Sequence, residues 1–281
     1  MKEVLDYFNE KIKDGIRGLC CSSSIVEIRM RVHKPLIVNC SNREIVLDDL
    51  TVCEEDIQDT FNIATEYSAY AYEENIKEGF LSVPGGHRIG FGGVAVTSNG
   101  NVTSLKNIMF LNVRVCHQIE NCAQNLYVKM KYEEKIKNTL IISPPGLGKT
   151  TLLRDLIKKI SNFVPGTSIC VIDERNEISG IYRGIPTIDL GKRTDIISNC
   201  GKREGILMAI RSMGPNVIAI DEIGESRDME AIKYAGVSGV AVIATVHGEN
   251  IDDVKDKFGQ DLLDLFEKKV VIKKRGEYIC Y

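Results

Sequence analysis

The stretch from residue 139 to residue 160 constrains the fold of this chain more than any other. The apolar run Thr139-Leu140-Ile141-Ile142 leads into Ser143-Pro144-Pro145-Gly146-Leu147-Gly148-Lys149-Thr150-Thr151, and apolar residues at helical spacing then continue to Ile160. A strand, a turn of small residues and a helix bring backbone N–H groups and a helix N-terminus together, and both bind phosphate. We therefore predict a phosphate-binding loop in which Ser143 to Thr151 contact a nucleotide.

Two side chains of this loop have separate expected roles. The Lys149 ammonium reaches the β- and γ-phosphates of the nucleotide, and the Thr150 hydroxyl takes one position on Mg²⁺. The motif usually begins with glycine, whereas this chain has Ser143, which can make the turn if its φ is negative. The flanking strand and helix favour nucleotide binding over the alternative, a glycine-rich turn with a solvated lysine.

A second apolar run, Val217-Ile218-Ala219-Ile220, ends in the carboxylates of Asp221 and Glu222. The last side chains of a buried parallel strand lie at the carboxyl edge of the sheet, beside the phosphate loop. We expect Asp221 to hold Mg²⁺ and Glu222 to orient and deprotonate the attacking water. The alternative is a pair of solvated acids at a strand end. An Asp-Glu pair favours hydrolysis over transfer to a small-molecule acceptor.

Two more strands are expected to end at the same edge. One finishes at Asp173-Glu174-Arg175-Asn176-Glu177, and the other at Ala244-Thr245-Val246-His247. A lone histidine is commonly a surface or core residue, but His247 follows an apolar strand at this edge, which favours sensing of the γ-phosphate. Thr245 is a second candidate for the same role.

Composition limits the classes of partner. The chain has 281 residues, 43% hydrophobic and 27% charged, with a net charge of −3. Residues 1–115 carry 12 Lys and Arg against 16 Asp and Glu, and this acidic balance argues against nucleic-acid binding. Nine cysteines without a C-x-x-C pair are typical of a reducing compartment. With no apolar run long enough to cross a bilayer, we expect a cytoplasmic protein that does not insert into the membrane.

The pattern of elements predicts three parts. Residues 1–115, beginning with a helix over 2–19, form a small α+β adaptor domain with an antiparallel sheet; 116–138 form a linker helix. Residues 139–281 alternate strands and helices, which predicts a parallel sheet. The segment 178–200 lacks an obvious element, and loops of this length are usually functional. The basic stretch 268–275 is interpreted as the solvated face of an edge strand.

Taken together, these motifs resemble those of the secretion ATPases of type II and type IV machines. The narrower resemblance, over nearly the whole chain, is to the stage III sporulation protein AA family of endospore-forming bacteria. It is carried by Pro84–Gly90, Asp173–Ile178, Leu190–Asp195, Lys202–Gly205, Ile210–Met213 and Ala219–Gly224. This resemblance implies a RecA-like P-loop NTPase domain after the α+β domain, with ATP and Mg²⁺ as nucleotide and metal.

The resemblance also implies a function and partners. The chain would be a hexameric ATPase of the mother cell that powers or organises a channel to the forespore, held at the membrane by a membrane-anchoring subunit. Glu174, in the acidic box after its strand, would join Glu222, Lys149 and His247 in catalysis. Ring ATPases also use an arginine from a neighbouring subunit, and the candidates are Arg88 and Arg114 in the first domain and Arg193 and Arg211 in the second.

Two alternatives stay open at this point. A nucleotide-gated scaffold would bind ATP and hydrolyse it negligibly; Asp221-Glu222 argues against it and Ser143 argues mildly for it. A nucleic-acid translocase would share the nucleotide fold, but the acidic first domain and the lack of a basic, aromatic-rich groove count against it.

Overall fold

The computed structural model describes residues 2–19, 24–98, 100–131, 135–224 and 226–281, which form two compact units. The first unit comprises Met1–His117 and Tyr182–Thr187, and the second comprises Gln118–Ile181 and Ile188–Tyr281. The boundary near residue 117 lies close to the predicted one. The short return of the chain to the first unit at Tyr182–Thr187 has no counterpart in the sequence prediction.

The first unit is a six-stranded antiparallel sheet with helices. Its described helices are α1 (Lys2–Leu5), α2 (Glu10–Arg17), α3 (Glu54–Ala64) and α4 (Glu73–Glu78). Its strands are β1 (Ile25–Arg31), β2 (Pro35–Cys40), β3 (Glu44–Thr51), β4 (Phe80–Val83), β5 (His87–Ser98) and β6 (Asn101–Arg114). They pair in the order β3-β2-β1-β6-β5-β4.

Alternation along the strands decides which face of this sheet is buried. In β1, Ile28 and Met30 are fully buried, whereas their neighbours Arg29 and Arg31 are only partly covered. The helices supply the other side of the core, and Phe61 of α3 meets Phe91 of β5 edge-to-face with ring centres 5.2 Å apart. One face of the sheet is therefore apolar and packed, and the opposite face carries arginines.

The N-terminal helix differs from the predicted one. Instead of one helix over 2–19, α1 ends at Leu5 and α2 begins at Glu10. Asn9 between them adopts an extended backbone, and its side-chain oxygen accepts a hydrogen bond from the Ile12 N–H at 3.2 Å. The first backbone N–H groups of a helix have no partner within the helix, and an asparagine N-cap accepts a hydrogen bond from one of them. Asn9 therefore marks the start of a separate helix.

The second unit is built on a seven-stranded sheet. Its described helices are α5 (Gln124–Lys131), α6 (Lys149–Phe163), α7 (Lys202–Ser212), α8 (Ser226–Val237), α9 (Ile251–Phe258) and α10 (Gln260–Asp264). Its strands are β7 (Thr139–Ser143), β8 (Ile169–Asp173), β9 (Thr194–Ser198), β10 (Val217–Glu222), β11 (Ala241–His247), β12 (Lys268–Lys274) and β13 (Glu277–Cys280).

Strand order in the second unit is β13-β12-β7-β11-β10-β8-β9, and all neighbours are parallel except the β12–β13 pair. The central strands β7 and β8 are buried along their whole length, which explains their continuous apolar sequences. Because β7, β11, β10 and β8 are adjacent and parallel, their carboxyl ends meet at one edge of the sheet.

Three elements of this unit differ from the sequence predictions. The segment 178–200 contains β9, which pairs with β8. Its sequence is too polar to be recognised as a strand. The basic stretch is not an edge strand: β12 lies between β7 and β13, with Val270, Val271 and Ile272 buried. The helix predicted over 116–138 is shorter in the described residues, where α5 spans Gln124–Lys131.

The start of α5 has a physical cause. Asn121 has a left-handed φ of 64°, which is incompatible with a continuing helix. Two residues later, the Ala123 N–H donates to Oδ2 of Asp155 on α6 at 2.7 Å, and Leu126 and Met130 are buried. The helix thus packs inside the second unit instead of forming a separate linker. Within the described ranges, no helix has the length and apolar character needed to span a bilayer.

Candidate functional site

The loop between β7 and α6 has the backbone shape that the sequence predicts. Gly146 and Gly148 have φ values of 78° and 98°, in the left-handed region that favours glycine. Space is not the reason for glycine at 146, since a Cβ there would meet no atom within 4 Å. Ser143 ends β7 fully buried, its φ is negative, and its hydroxyl donates to the Pro144 carbonyl at 2.8 Å. Serine therefore fits the first position of this loop.

Lys149 is the first residue of α6, and its side chain is only 8% exposed. Burial lowers the pKa of its ammonium group, while the carboxylates of Glu222 and Asp221 act in the opposite direction. Its Nζ lies 3.0 Å from Nε2 of His247 and 2.5 Å from Nδ1. His247 reaches this position because it ends β11 directly opposite Ser143 in the parallel pairing with β7.

Glu222 also contacts His247. Its Oε2 lies 2.9 Å from Nε2 of His247, the same ring nitrogen that Nζ of Lys149 approaches at 3.0 Å. An ammonium group only donates hydrogen bonds, so a ring nitrogen of His247 accepts from Lys149. Three side chains that the sequence separately assigned to one edge therefore form one polar chain.

Thr150 and Asp221 form the second polar contact of the site. Oγ1 of Thr150 and Oγ1 of Thr245 each lie 3.4 Å from Oδ1 of Asp221. Burial raises the pKa of Asp221 to about 6, with the nearby charges of Glu177 and Asp173 adding to the shift. A carboxylate in this setting is stabilised by a cation, and hydroxyl and carboxylate oxygens are the ligands that Mg²⁺ prefers. Thr150 and Asp221 thus fit the metal that the motif implies.

Asp173 has a structural role at the end of β8. Its carboxylate is 1% exposed and accepts hydrogen bonds from the backbone N–H groups of Glu177, Ile178 and Ser179 at 2.7–3.1 Å. The Ser179 hydroxyl donates to the same carboxylate at 2.5 Å. The acidic box therefore fixes the turn that follows β8.

Sequence reasoning missed Arg154, which ties this turn to α6. Its guanidinium donates to the Glu177 carbonyl, and its charge lowers the pKa of Asp221. The signal was present in the sequence, because Arg154 follows Thr150 by four residues and so lies on the same face of α6.

Glu174 lies beside the other acids but is held by a lysine. Its Oε2 is 2.5 Å from Nζ of Lys202 at the start of α7. Both line a cleft of about 690 Å³ that also includes Asp221 and Glu222. The structure therefore brings Glu174 to the expected edge, and its catalytic role stays a prediction.

The two candidate arginines of the first unit, Arg88 and Arg114, lie on the face of its sheet opposite the core. Arg88 of β5 and Arg114 of β6 are directly opposite each other in the antiparallel pairing. The guanidinium of Arg88 lies 4.3 Å from the centre of the Phe80 ring, and Nε of Arg114 is 4.0 Å from a Glu27 oxygen. Their action on a nucleotide stays a prediction.

The two candidate arginines of the second unit, Arg193 and Arg211, have different surroundings. Nη1 of Arg193 donates to the Ser161 carbonyl at 2.6 Å, which joins the start of β9 to α6. Arg211 is exposed in the last turn of α7, shortly before β10 begins. It therefore lies at the amino edge of the sheet, away from Lys149 of its own chain. Arg211 is therefore not expected to act on a nucleotide bound to its own chain. Its action on the nucleotide of a neighbouring subunit stays a prediction.

Comparison with known proteins agrees with this architecture. The chain is 14% identical to the ATPase DotB of Legionella pneumophila, with a TM-score of 0.60 over 91% of this chain and 75% of DotB. It is 17% identical to the pilus retraction motor PilT with bound ADP, with a TM-score of 0.63 over 93% of this chain and 76% of PilT. The prediction of a RecA-like α/β NTPase fold is confirmed.

The sequence comparisons are more specific. The chain is 36% identical over 260 residues to stage III sporulation protein AA of Bacillus subtilis, covering 90% of this chain and 84% of that protein. A family model described as sporulation stage III, protein AA matches residues 14–278, which include every motif described above. The chain therefore belongs to the stage III sporulation protein AA family, as its motifs predict.

Proposed function

We propose that this chain is a Mg²⁺-dependent ATPase that powers or organises the channel complex between mother cell and forespore during endospore formation. The observation that carries the proposal is the convergence of Lys149, Thr150, Asp221, Glu222 and His247 at one edge of the parallel sheet. These residues come from α6, β10 and β11, and the lysine, the hydroxyl residue, the aspartate and a water-positioning acid are parts that P-loop phosphoryl transfer to water uses.

Each side chain has a defined task in this proposal. Thr150 and Asp221 hold Mg²⁺, which when bound neutralises charge on the β- and γ-phosphates. Lys149 and the N–H groups at the start of α6 bind the phosphate oxygens. Glu222 accepts a proton from the attacking water. The oxygen of this water bonds to the γ-phosphorus as the bond from the γ-phosphorus to the bridging oxygen of the β-phosphate breaks. The products are ADP and phosphate.

His247 lies next to both the proposed phosphate-binding lysine and the proposed catalytic base. It contacts both Lys149 and Glu222, so a shift of the lysine toward a γ-phosphate changes the surroundings of the water-activating glutamate. We propose that this contact reports nucleotide occupancy to Glu222. Arg88 or Arg114 of a neighbouring subunit, in a hexamer, supplies further positive charge to the leaving phosphate.

The proposed setting is the cytoplasm of the mother cell, where a membrane-anchoring subunit of the channel complex holds the ATPase at the membrane. Membership of the sporulation family supports this setting. Measurement of the solution mass with and without ATP and Mg²⁺ tests the assembly, and a shift to six protomers is expected.

Steady-state phosphate release tests the enzyme itself. Lys149→Ala is expected to abolish turnover, and Glu222→Gln to retain ATP binding but stop cleavage. Lys233→Ala and Glu267→Gln are matched controls, since both residues are exposed and lie outside the edge that carries the site. Turnover of Glu222→Gln at the parental rate would refute the role of Glu222. ATP binding without phosphate release in the parental protein, with its membrane partner present, would favour the nucleotide-gated scaffold instead.

The neighbouring-subunit role of Arg88 has its own test. Mixed rings of Arg88→Ala and Lys149→Ala subunits are expected to recover activity, because some interfaces then pair an intact lysine with an intact arginine. Mixed rings as inactive as either parent would count against Arg88, and the same design applies to Arg114.

A further inference from the structure

The first unit contains a groove that the nucleotide chemistry does not use. Its volume is about 900 Å³, and it lies between α3, α4 and the middle of β6. The floor is apolar, with Ile76, Leu105, Ile108 and Met109. Ile76 is 6% exposed, whereas the other three are half-buried and present apolar surface to the groove.

The rim of this groove is acidic. Glu54, Glu55 and Asp59 of α3 and Glu73 of α4 line it, and the described lining includes no basic side chain. Among the described residues, none of these four carboxylates forms an ion pair with a lysine or arginine. A cleft lined by charges of one sign over a low-dielectric floor concentrates the potential, so the groove attracts cations.

Helix capping accounts for only part of this charge. The cap of α3 is closed by Asp56, whose Oδ2 accepts from the Cys53 N–H at 2.8 Å and pairs with Lys11. Glu54 and Glu55 are exposed and take no part in that cap. Their carboxylates line the groove together with Glu73 from a second helix, which a cap of α3 does not require.

Tyr70 adds a feature typical of binding surfaces. It lines the groove and is 84% exposed. A large aromatic ring with a polar tip is costly to leave in water and is enriched in protein interfaces. The groove therefore combines an apolar floor, an aromatic side chain and a rim of one charge sign.

We propose that this acidic groove binds a Lys/Arg-rich amphipathic segment of a partner protein, with apolar side chains on the floor and cationic side chains at the rim. An amphipathic helix with apolar residues at i, i+3, i+4 and i+7 presents such a pattern. Cytoplasmic segments next to membrane spans are rich in Lys and Arg, so a membrane protein fits as the source. That source rests on the proposed function, whereas the chemistry of the groove does not.

The test uses a fluorescein-labelled helical peptide of Leu and Lys with leucines at this spacing, titrated with the full-length protein and followed by fluorescence anisotropy. The triple variant Glu54→Lys, Glu55→Lys, Glu73→Lys is expected to weaken binding by roughly tenfold or more, since each exposed ion pair contributes a few-fold in affinity and reversal adds repulsion. The matched control is Glu44→Lys, Asp48→Lys, Asp49→Lys, three exposed acids of β3 outside the groove.

A second peptide tests the floor. A Lys/Ser peptide of equal charge is expected to bind the parental protein at least about tenfold more weakly, because it cannot bury apolar surface. The proposal is overturned if the Leu/Lys peptide does not bind, if the β3 control weakens binding as much as the groove variant, or if the Lys/Ser peptide binds equally well.

Phosphate release measured on the same samples keeps the two proposals distinguishable. Peptide binding that depends on the groove without any ATP turnover would refute the proposed enzyme and leave the groove assignment intact. ATP turnover without groove-dependent peptide binding would refute the groove assignment and leave the proposed enzyme intact.

Discussion

Nζ of Lys149 lies 3.0 Å from Nε2 of His247, although the two residues are 98 positions apart in the sequence. The contact exists because β11 pairs with β7, which places His247 opposite Ser143 at the start of the phosphate loop. Oε2 of Glu222 lies 2.9 Å from the same nitrogen. The lysine proposed to bind phosphate and the acid proposed to activate water thus contact the same imidazole ring.

Replacement of His247 tests this connection. In His247→Asn the shorter side chain cannot contact both partners, so we expect turnover to fall roughly tenfold or more, the equivalent of one hydrogen bond to a charged group. ATP affinity is expected to change much less, since Lys149 is retained. His33→Asn in the first unit is the matched control. Turnover of His247→Asn within about twofold of the parental value would contradict the proposed link.

Removal of the Thr150 hydroxyl tests the metal site. Thr150→Val keeps the shape of the side chain but removes the oxygen that lies 3.4 Å from Asp221. We expect the Mg²⁺ concentration needed for half-maximal turnover to rise roughly tenfold or more, because the metal loses an oxygen ligand. Thr150→Ser restores the hydroxyl and is expected to restore the parental metal dependence. If Thr150→Val and Thr150→Ser require the same Mg²⁺ concentration for half-maximal turnover, the Thr150 hydroxyl is not a ligand of Mg²⁺.

The buried carboxylate of Asp173 predicts a stability effect. It accepts four hydrogen bonds in the turn after β8, so Asp173→Asn turns one acceptor into a donor that faces other donors. We expect the free energy of unfolding of the second unit to fall by roughly 2–4 kcal/mol. Ser179→Ala removes a single donor and is expected to cost about 1 kcal/mol. Urea unfolding followed by far-ultraviolet circular dichroism measures both, and equal losses would refute this account.

His87 predicts an acid-sensitive first unit. It is 3% exposed, Nδ1 accepts a hydrogen bond from the Cys116 N–H at 2.9 Å, and burial lowers its pKa to about 4. In the unfolded chain the His87 imidazole therefore becomes protonated near pH 6.5, whereas in the folded chain it stays neutral until about pH 4. This group makes folding progressively less favourable as the pH falls from about 6.5 to about 4, by up to about 3 kcal/mol.

The matched variant is His87→Gln, which keeps a hydrogen-bond acceptor and does not titrate. The difference in free energy of unfolding between the parental protein and this variant should be constant above pH 7 and should shift against the parental protein between pH 6.5 and pH 4. A difference that is independent of pH would show that His87 is protonated equally in the folded and unfolded states.

Local signals were sufficient for the phosphate loop. The apolar strand, the glycines at 146 and 148 and the helix after Lys149 follow one another in the chain, so their geometry depends on neighbouring residues. The strands ending at Asp173, Glu222 and His247 were also predictable, because fully buried parallel strands have continuous apolar sequences. By contrast, β9 is polar and short, and its pairing with β8 leaves no periodic pattern in its sequence.

Elements that depend on distant partners were not predictable. The basic stretch at β12 lies inside the sheet because the C-terminal strand β13 covers it, and α5 begins where Asp155 of α6 accepts its first amide. Asp173 precedes the predicted catalytic Glu174 in sequence, and only the fold showed that the backbone amides of 177–179 donate to the Asp173 carboxylate.

The sequence by itself determined the nucleotide fold, the family and the residue types at the edge of the sheet, because spacing along one strand or helix depends on local backbone geometry. Only the tertiary structure decided that Lys149, His247 and Glu222 touch, since strand order is set by the packing of apolar faces over the whole unit. The same holds for the acidic groove, whose walls come from three separate elements. Contacts between distant residues arise from the shared core, and no local stretch of sequence encodes them.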